Sequence, residues 1–144
     1  MNWKREAECD LKNYTSRLTA IENLISRIRV LEEKYTSLRG ISMDTPVMGG
    51  ASHQEDSMIN NIVEREKLRN NLKTVRMLVK LTEKGLAGLD ERQRDILNAF
   101  YINRTENHVE TLSAKYHLEK SRLYQLKDEA LYKFTISMFG IIDL

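Results

Sequence analysis

Four side chains near residue 120, Lys120, Ser121, Tyr124 and Gln125, have the chemistry to read base-pair edges. Lys and Gln reach such edges with hydrogen bonds, Ser donates or accepts, and Tyr offers both a ring and a hydroxyl. Arg122 stands on their flank, and Lys127 follows one to two helical turns further along, within reach of a phosphate. Arg104, Thr105 and His108 precede a predicted helix start, where free backbone amides favour a phosphate group. The remaining reactive residue types form no comparable set. Cys9 is the single cysteine, with no base beside it to activate the thiol. His53, His108 and His117 are scattered, without Cys or carboxylate partners at metal-ligand spacing. Acidic residues alternate with basic ones at helix-surface spacing, as in Glu6, Asp10 and Lys12, which suits solvated ion pairs better than a catalytic dyad. Phosphate loops, dinucleotide fingerprints and nucleophile elbows are absent, so the expectation is no enzyme and no cofactor.

Three short helices between Leu89 and Leu131 are predicted to position these groups. Asp90 and Gln93 stand three apart, as in a capping box, and start the first, which carries Ile96, Leu97, Phe100 and Tyr101. The second begins near His108 and carries Val109, Leu112 and Tyr116; Leu118 occupies a tight turn; the third carries Leu123, Leu126, Ala130 and Leu131. Leu112, Tyr116, Leu118, Leu123 and Leu126 then form the inner corner of two steeply crossed helices, leaving the first turn of the third facing outward.

Upstream, Trp3 to about Leu38 contains neither Gly nor Pro. Its apolar residues Leu11, Tyr14, Leu18, Ile21, Ile25 and Ile28 follow 3-4-3-4-3 spacing, then shift by three to Leu31, Tyr35 and Leu38. Such a stripe lies on one helix face and needs a partner helix; the shift is a local break in the seam. Residues 39–57, with Gly40, Gly49, Gly50 and Pro46, are predicted as a loop. A second helix spans about Gln54 to Lys84, with Met58, Ile62, Leu72, Val75 and Val79 on its stripe, supplemented by Ile59, Leu68, Leu78 and Leu81, and a polar middle. An antiparallel hairpin and a dimer of long helices satisfy both stripes equally. The expected fold is all-α: a coiled-coil-like helical hairpin over residues 1–85, with Gly85 and Gly88 as punctuation, then a helix-turn-helix domain over 86–144. The apolar end, including Phe134, Met138, Phe139 and Ile142, either closes a core against the hairpin or forms an oligomerisation or polymerase-facing patch.

Composition agrees: 41% of the 144 residues are hydrophobic and 31% charged, with one proline to break helices. Apolar runs fall short of the roughly 18 residues of a membrane span, and the charged N-terminus lacks a signal-peptide core, so the expected setting is cytoplasmic. Net charge is +2, but from residue 86 onward eight Lys/Arg face nine Asp/Glu, a balance of −1 that leaves +3 upstream. A domain gripping DNA by electrostatics alone would be far more basic. The expected reader therefore works with a second subunit or beside a partner already on DNA.

The run Leu-Asp-Glu-Arg-Gln-Arg-Asp-Ile-Leu (89–97), with Phe100-Tyr101, Leu112-Ser113-Ala114-Lys115-Tyr116-His117-Leu118, Ser121-Arg122-Leu123-Tyr124 and Ala130-Leu131, resembles region 4 of bacterial sigma factors. That resemblance implies a four-helix domain reading the promoter −35 element and touching the flap of RNA polymerase. His117 stands at the usual turn glycine, Glu119 at the usual Ser or Thr cap, and Ser113 at the usual Ala. The stretch Met48-Gly49-Gly50-Ala51-Ser52-His53-Gln54-Glu55-Asp56, just after Pro46, resembles the ArpU/RinA-like transcriptional regulators of Gram-positive phages and prophages. Those proteins also pair a helical N-terminal half with a sigma-like C-terminal half, and the likeness implies activation of phage late genes in a bacterial host cell. The expected partners are double-stranded DNA, RNA polymerase and a second copy joined through the N-terminal helices. The alternative is an adaptor that docks on polymerase or another protein without reading DNA.

Overall fold

The computed structural model describes residues 1–44 and 51–140. Five α-helices carry almost all of them: α1 (Trp3–Asp44), α2 (Ala51–Ala87), α3 (Glu91–Leu97), α4 (His108–Tyr116) and α5 (Lys120–Phe139), with a π-helical turn at Asn98–Ile102 between α3 and α4. Among the described residues there is no strand, and no helix is long and apolar enough to cross a membrane. Contacts divide the chain into two units, residues 18–76 and residues 1–17 with 77–144.

In the unit of residues 18–76, the later part of α1 pairs with the earlier part of α2. The direction is antiparallel: Gln54 Nε2 donates to the Leu38 carbonyl (2.8 Å), and seven residues on, Asn61 Nδ2 donates to the Leu31 carbonyl (2.8 Å). Ile28, Leu68 and Leu72 form the buried cluster, flanked by Ile21, Leu24, Ile25 and Leu31. On α2 the line turned inward is Met58, Asn61, Arg65, Leu68, Leu72 and Val75. It differs from the apolar stripe expected from spacing. Ile59 and Ile62 lie outside, 57% and 43% exposed, while Asn61 and Arg65 take inward positions. Both polar groups find work there: Asn61 bonds the Leu31 carbonyl at the point where the α1 stripe shifts, and the Arg65 guanidinium lies 4.7 Å from the centre of the Tyr35 ring.

The loop expected over 39–57 is shorter. Helix α1 continues to Asp44 and α2 already starts at Ala51, while residues 45–50 lie outside the described residues. A glycine inside a helix costs about 1 kcal/mol against Ala, and extending a formed helix past Gly40 avoids a new nucleation cost. Near the start of α2, Gln54 reaches across to the Leu38 carbonyl of α1, and Ser57 Oγ donates to the His53 carbonyl one turn back (2.9 Å).

The other unit joins the first turns of α1, the last turns of α2, and α3 to α5. Its main core holds Ala7, Leu11, Leu89, Leu97, Leu131 and Phe134, with Met138 and Phe139 packed at its edge and Trp3 5.0 Å from Phe139 between ring centres. The described part of the apolar C-terminal stretch thus closes a core; residues 141–144 lie outside the described residues. Gly85 is a packing residue inside α2. A Cβ there would meet the buried Phe134 ring at 2.7 Å and Met138 at 2.9 Å, so the helix surface must be bare at this point. Leu81, expected on the stripe, is 41% exposed, and Thr82 is buried instead, its hydroxyl donating to the Leu78 carbonyl (3.0 Å).

Candidate nucleic-acid interface

The candidate face begins with how α3 is anchored. Asp90 caps it: its carboxylate accepts from the Gln93 amide (2.7 Å), and Gln93 Oε1 accepts from the Asp90 amide (3.1 Å), closing the expected capping box. After Leu97 the backbone loosens into the π turn, held by Asn103 N–H on the Asn98 carbonyl (2.8 Å) and by the two Asn side chains on each other. This extra residue sends Phe100 into a second core with Ile96, Leu112, Leu123 and Leu126, while Tyr101 packs at the edge of both.

Helix α4 ends at His117, whose φ of 54° and ψ of 47° put it in the left-handed region. It is the one non-glycine residue of positive φ among the described residues, in a conformation that glycine adopts most readily. The Leu118 N–H returns to the Ser113 carbonyl (3.1 Å), completing the stop. Glu119 is extended and begins α5 through its backbone, with no side-chain cap bond; the carboxylate cap allowed by the sequence is not formed. Leu112, Leu123 and Leu126 are buried and Tyr116 and Leu118 partly buried in this second core. The five residues expected at the corner therefore meet there.

Burying Leu123 and Leu126 leaves Lys120, Ser121, Arg122, Tyr124 and Gln125 exposed on α5. Tyr124 stands edge-on to Phe100, with centroids 5.6 Å apart. Arg122 donates to Gln125 Oε1 (3.2 Å), holding that amide in place. Lys127 is more buried than expected: its side chain is 18% exposed and its ammonium lies 5.8 Å from both the Phe100 and Tyr124 ring centres. Arg104 and Thr105 are exposed ahead of α4. His108 is turned inward, only 8% exposed, with its ring edge on Phe100 at 4.8 Å. Its Nδ1 lies 2.8 Å from the Thr105 carbonyl, which can only accept, so Nδ1 carries the proton. Of the candidate phosphate contacts, His108 is therefore occupied in holding the turn before α4.

Two features of the face are not apparent in the sequence. One is a polar tie between α3 and α4, where Asp95 Oδ2 accepts from the Tyr116 hydroxyl (2.5 Å) and pairs with Lys115. The Lys115 ammonium and then the Tyr116 hydroxyl hold the Asp95 carboxyl below its ordinary value, while burial and Asp95 push the Tyr116 phenol up. The other is that each expected cation on or beside α5 has its own carboxylate: Lys120 with Glu110 (3.5 Å), Arg122 with Glu129 (3.7 Å) and Lys127 with Asp128 (2.9 Å). The Glu110 carboxyl is held low by its own backbone amide and, less strongly, by Lys120. The balance of −1 beyond residue 86 was the available signal for this pairing, but it does not say which carboxylates are involved. Compared with protein-family models, curated proteins and solved structures, the chain matches none.

Proposed function

We propose that this chain is a DNA-binding transcriptional regulator whose C-terminal unit reads duplex DNA through a sigma region 4-like helix-turn-helix, α4–turn–α5. The carrying observation is the left-handed stop at His117 followed by α5, whose first two turns bury Leu123 and Leu126 and present Lys120, Ser121, Tyr124 and Gln125 outward. Such a face inserted in the major groove offers Lys and Gln to acceptor-rich base edges, and Arg104, Thr105 and Arg122 to the phosphates alongside. The resemblance to ArpU/RinA-like regulators makes activation of phage or prophage late genes the proposed role, in a bacterial cytoplasm. The helix pair then serves as the point of assembly, with a second copy or RNA polymerase as partner. In its support, Ile59, Ile62 and Val63 stand exposed on α2 at one-turn spacing.

A labelled-duplex shift assay over a phage late promoter tests the reading. Lys120→Ala combined with Gln125→Ala is expected to lower specific affinity by about 1–3 kcal/mol for each base-edge interaction removed. Unaltered specific binding by the double variant would contradict the assignment of this face.

The neutral pairing of the face favours a second reading, an adaptor that docks on polymerase or another protein without touching bases. Co-purification with polymerase, without duplex affinity at low salt, would select it.

A further inference from the structure

Three cations on or beside the first two turns of α5 are each paired with a carboxylate. Lys120 is paired from the neighbouring helix by Glu110, Arg122 from two turns further along α5 by Glu129, and Lys127 by the adjacent Asp128. Three positive and three negative groups leave the set neutral, and Glu119 at the helix start adds one further negative charge. The pairs at Lys120 and Arg122 are exposed on both sides, between 51% and 66%. Exposed ion pairs at such distances contribute little to stability. Their influence on an approaching polyanion is another matter, because a phosphate must compete with the carboxylate for each cation and is itself repelled by it.

We infer that Glu110 and Glu129 are built-in counterions of the recognition face, which hold down its affinity for arbitrary duplex DNA and so make binding depend on base contacts or on an assembled partner. The inference rests on the DNA-reading proposal above and concerns its selectivity. A protein that binds by neutralising phosphates releases condensed cations, and its affinity falls with salt in proportion to the number of phosphates engaged. A Lys or Arg held by an internal carboxylate contributes less to that count. Freeing Arg122, assigned to a phosphate, adds to affinity on every sequence alike, while freeing Lys120 strengthens its general attraction to duplex as well as its reach to a base edge. Glu110 and Glu129 thus set how tightly the face holds any duplex, and touch no base.

The test is a salt titration of duplex binding, comparing the full chain with Glu110→Gln/Glu129→Gln. Both substituted side chains are about 60% exposed, and thermal melting checks that the fold is kept. On a random-sequence duplex the double variant is expected to bind tighter by on the order of tenfold per freed cation at about 50 mM salt, with a log–log salt slope steeper by about 0.9 for each. Glu129→Gln alone is expected to give half of that change in slope. For Glu129→Gln alone, the ratio of affinity for a selected site to that for random duplex should stay unchanged. Glu64→Gln/Glu66→Gln, on α2 in the other unit, alters net charge equally and is expected to change affinity and slope much less. Equal gains from both double variants would overturn the inference, since net charge alone would then explain them. A wild-type chain that binds a selected site, with a face variant that binds random duplex no more tightly, overturns it while leaving the DNA reading intact. Failure of wild type and variant alike to bind any duplex at low salt removes both.

Discussion

The two units bury their helices by different rules. In residues 1–17 and 77–144 the interior is mostly apolar, with the buried Thr82 and Thr135 hydroxyls bonded back to their own helices, and tight enough that one position tolerates no Cβ: Gly85 faces the Phe134 ring, itself fully buried. In residues 18–76 the seam between α1 and α2 is thinner, with three buried apolar residues and two polar side chains, Asn61 and Arg65, turned inward among them. Asn61 satisfies its donor on Leu31 but leaves Oδ1 without a partner among the described residues. A buried amide in a helical seam costs stability and discriminates between registers, because a slipped pairing strands its polar atoms. The contrast separates a unit held by shape, suited to fixing a rigid face, from a unit held by register, suited to pairing helices.

The largest effect that would sharpen this contrast lies in the tight core. Phe134→Ala is expected to destabilise the C-terminal unit by about 3–5 kcal/mol, and Gly85→Ala by about 1–3 kcal/mol through overpacking, measured by denaturant unfolding. A negligible loss for Gly85→Ala would mean that α2 and α5 can separate freely at this point. In the seam the sign should reverse. Asn61→Leu is expected to keep or raise stability, by about 1 kcal/mol at most, because it removes a buried unmet acceptor. A loss of several kcal/mol would show instead that the Asn61–Leu31 bond is indispensable.

A smaller effect is expected at the turn. His117→Gly relieves a left-handed side-chain conformation and should stabilise by up to about 1 kcal/mol in thermal melts, net of glycine's greater chain entropy. Smallest is the pH response of the Asp95–Tyr116 tie. Asp95 titrates lower in the folded chain than its ordinary 3.8, so its contribution is present above about that pH and is lost as pH falls through the folded value. Tyr116 titrates above its ordinary 10.0, so its contribution is complete below that pH and fades as pH rises through the folded value. Asp95→Asn should therefore flatten the acid limb of a stability profile while changing stability at neutral pH only slightly, since the groups are mostly solvated.

Much of the local architecture was legible because it depends on near neighbours. The Asp90–Gln93 box and the inner corner of Leu112, Leu123 and Leu126 each follow from residue type at short spacing, whereas the stop at His117 was expected only through the likeness to sigma-like turns. What stayed hidden depends on partners distant in sequence. Hydropathy favours Ile59 and Ile62 over Asn61 and Arg65 for the inner face of α2. Only the carbonyl of Leu31 and the ring of Tyr35, on another helix, reverse that preference. The same holds for Gly85, whose spacing suggests a break but whose reason is the ring of Phe134. On the candidate face, exposure of Lys120, Ser121, Tyr124 and Gln125 followed from helix periodicity. The inward turn of His108 and the Glu110 carboxylate on Lys120 did not, because both depend on how α4 meets the π turn and α5.

The central proposal, that the outward face of α5 reads base edges, is tested most directly by selecting bound duplexes from a random-sequence library. Wild type and Lys120→Ala/Gln125→Ala would be carried through in parallel at low salt. The expected result is a short motif enriched by the wild type and missing from the double-variant pool. The same motif recovered from both pools would contradict the proposal.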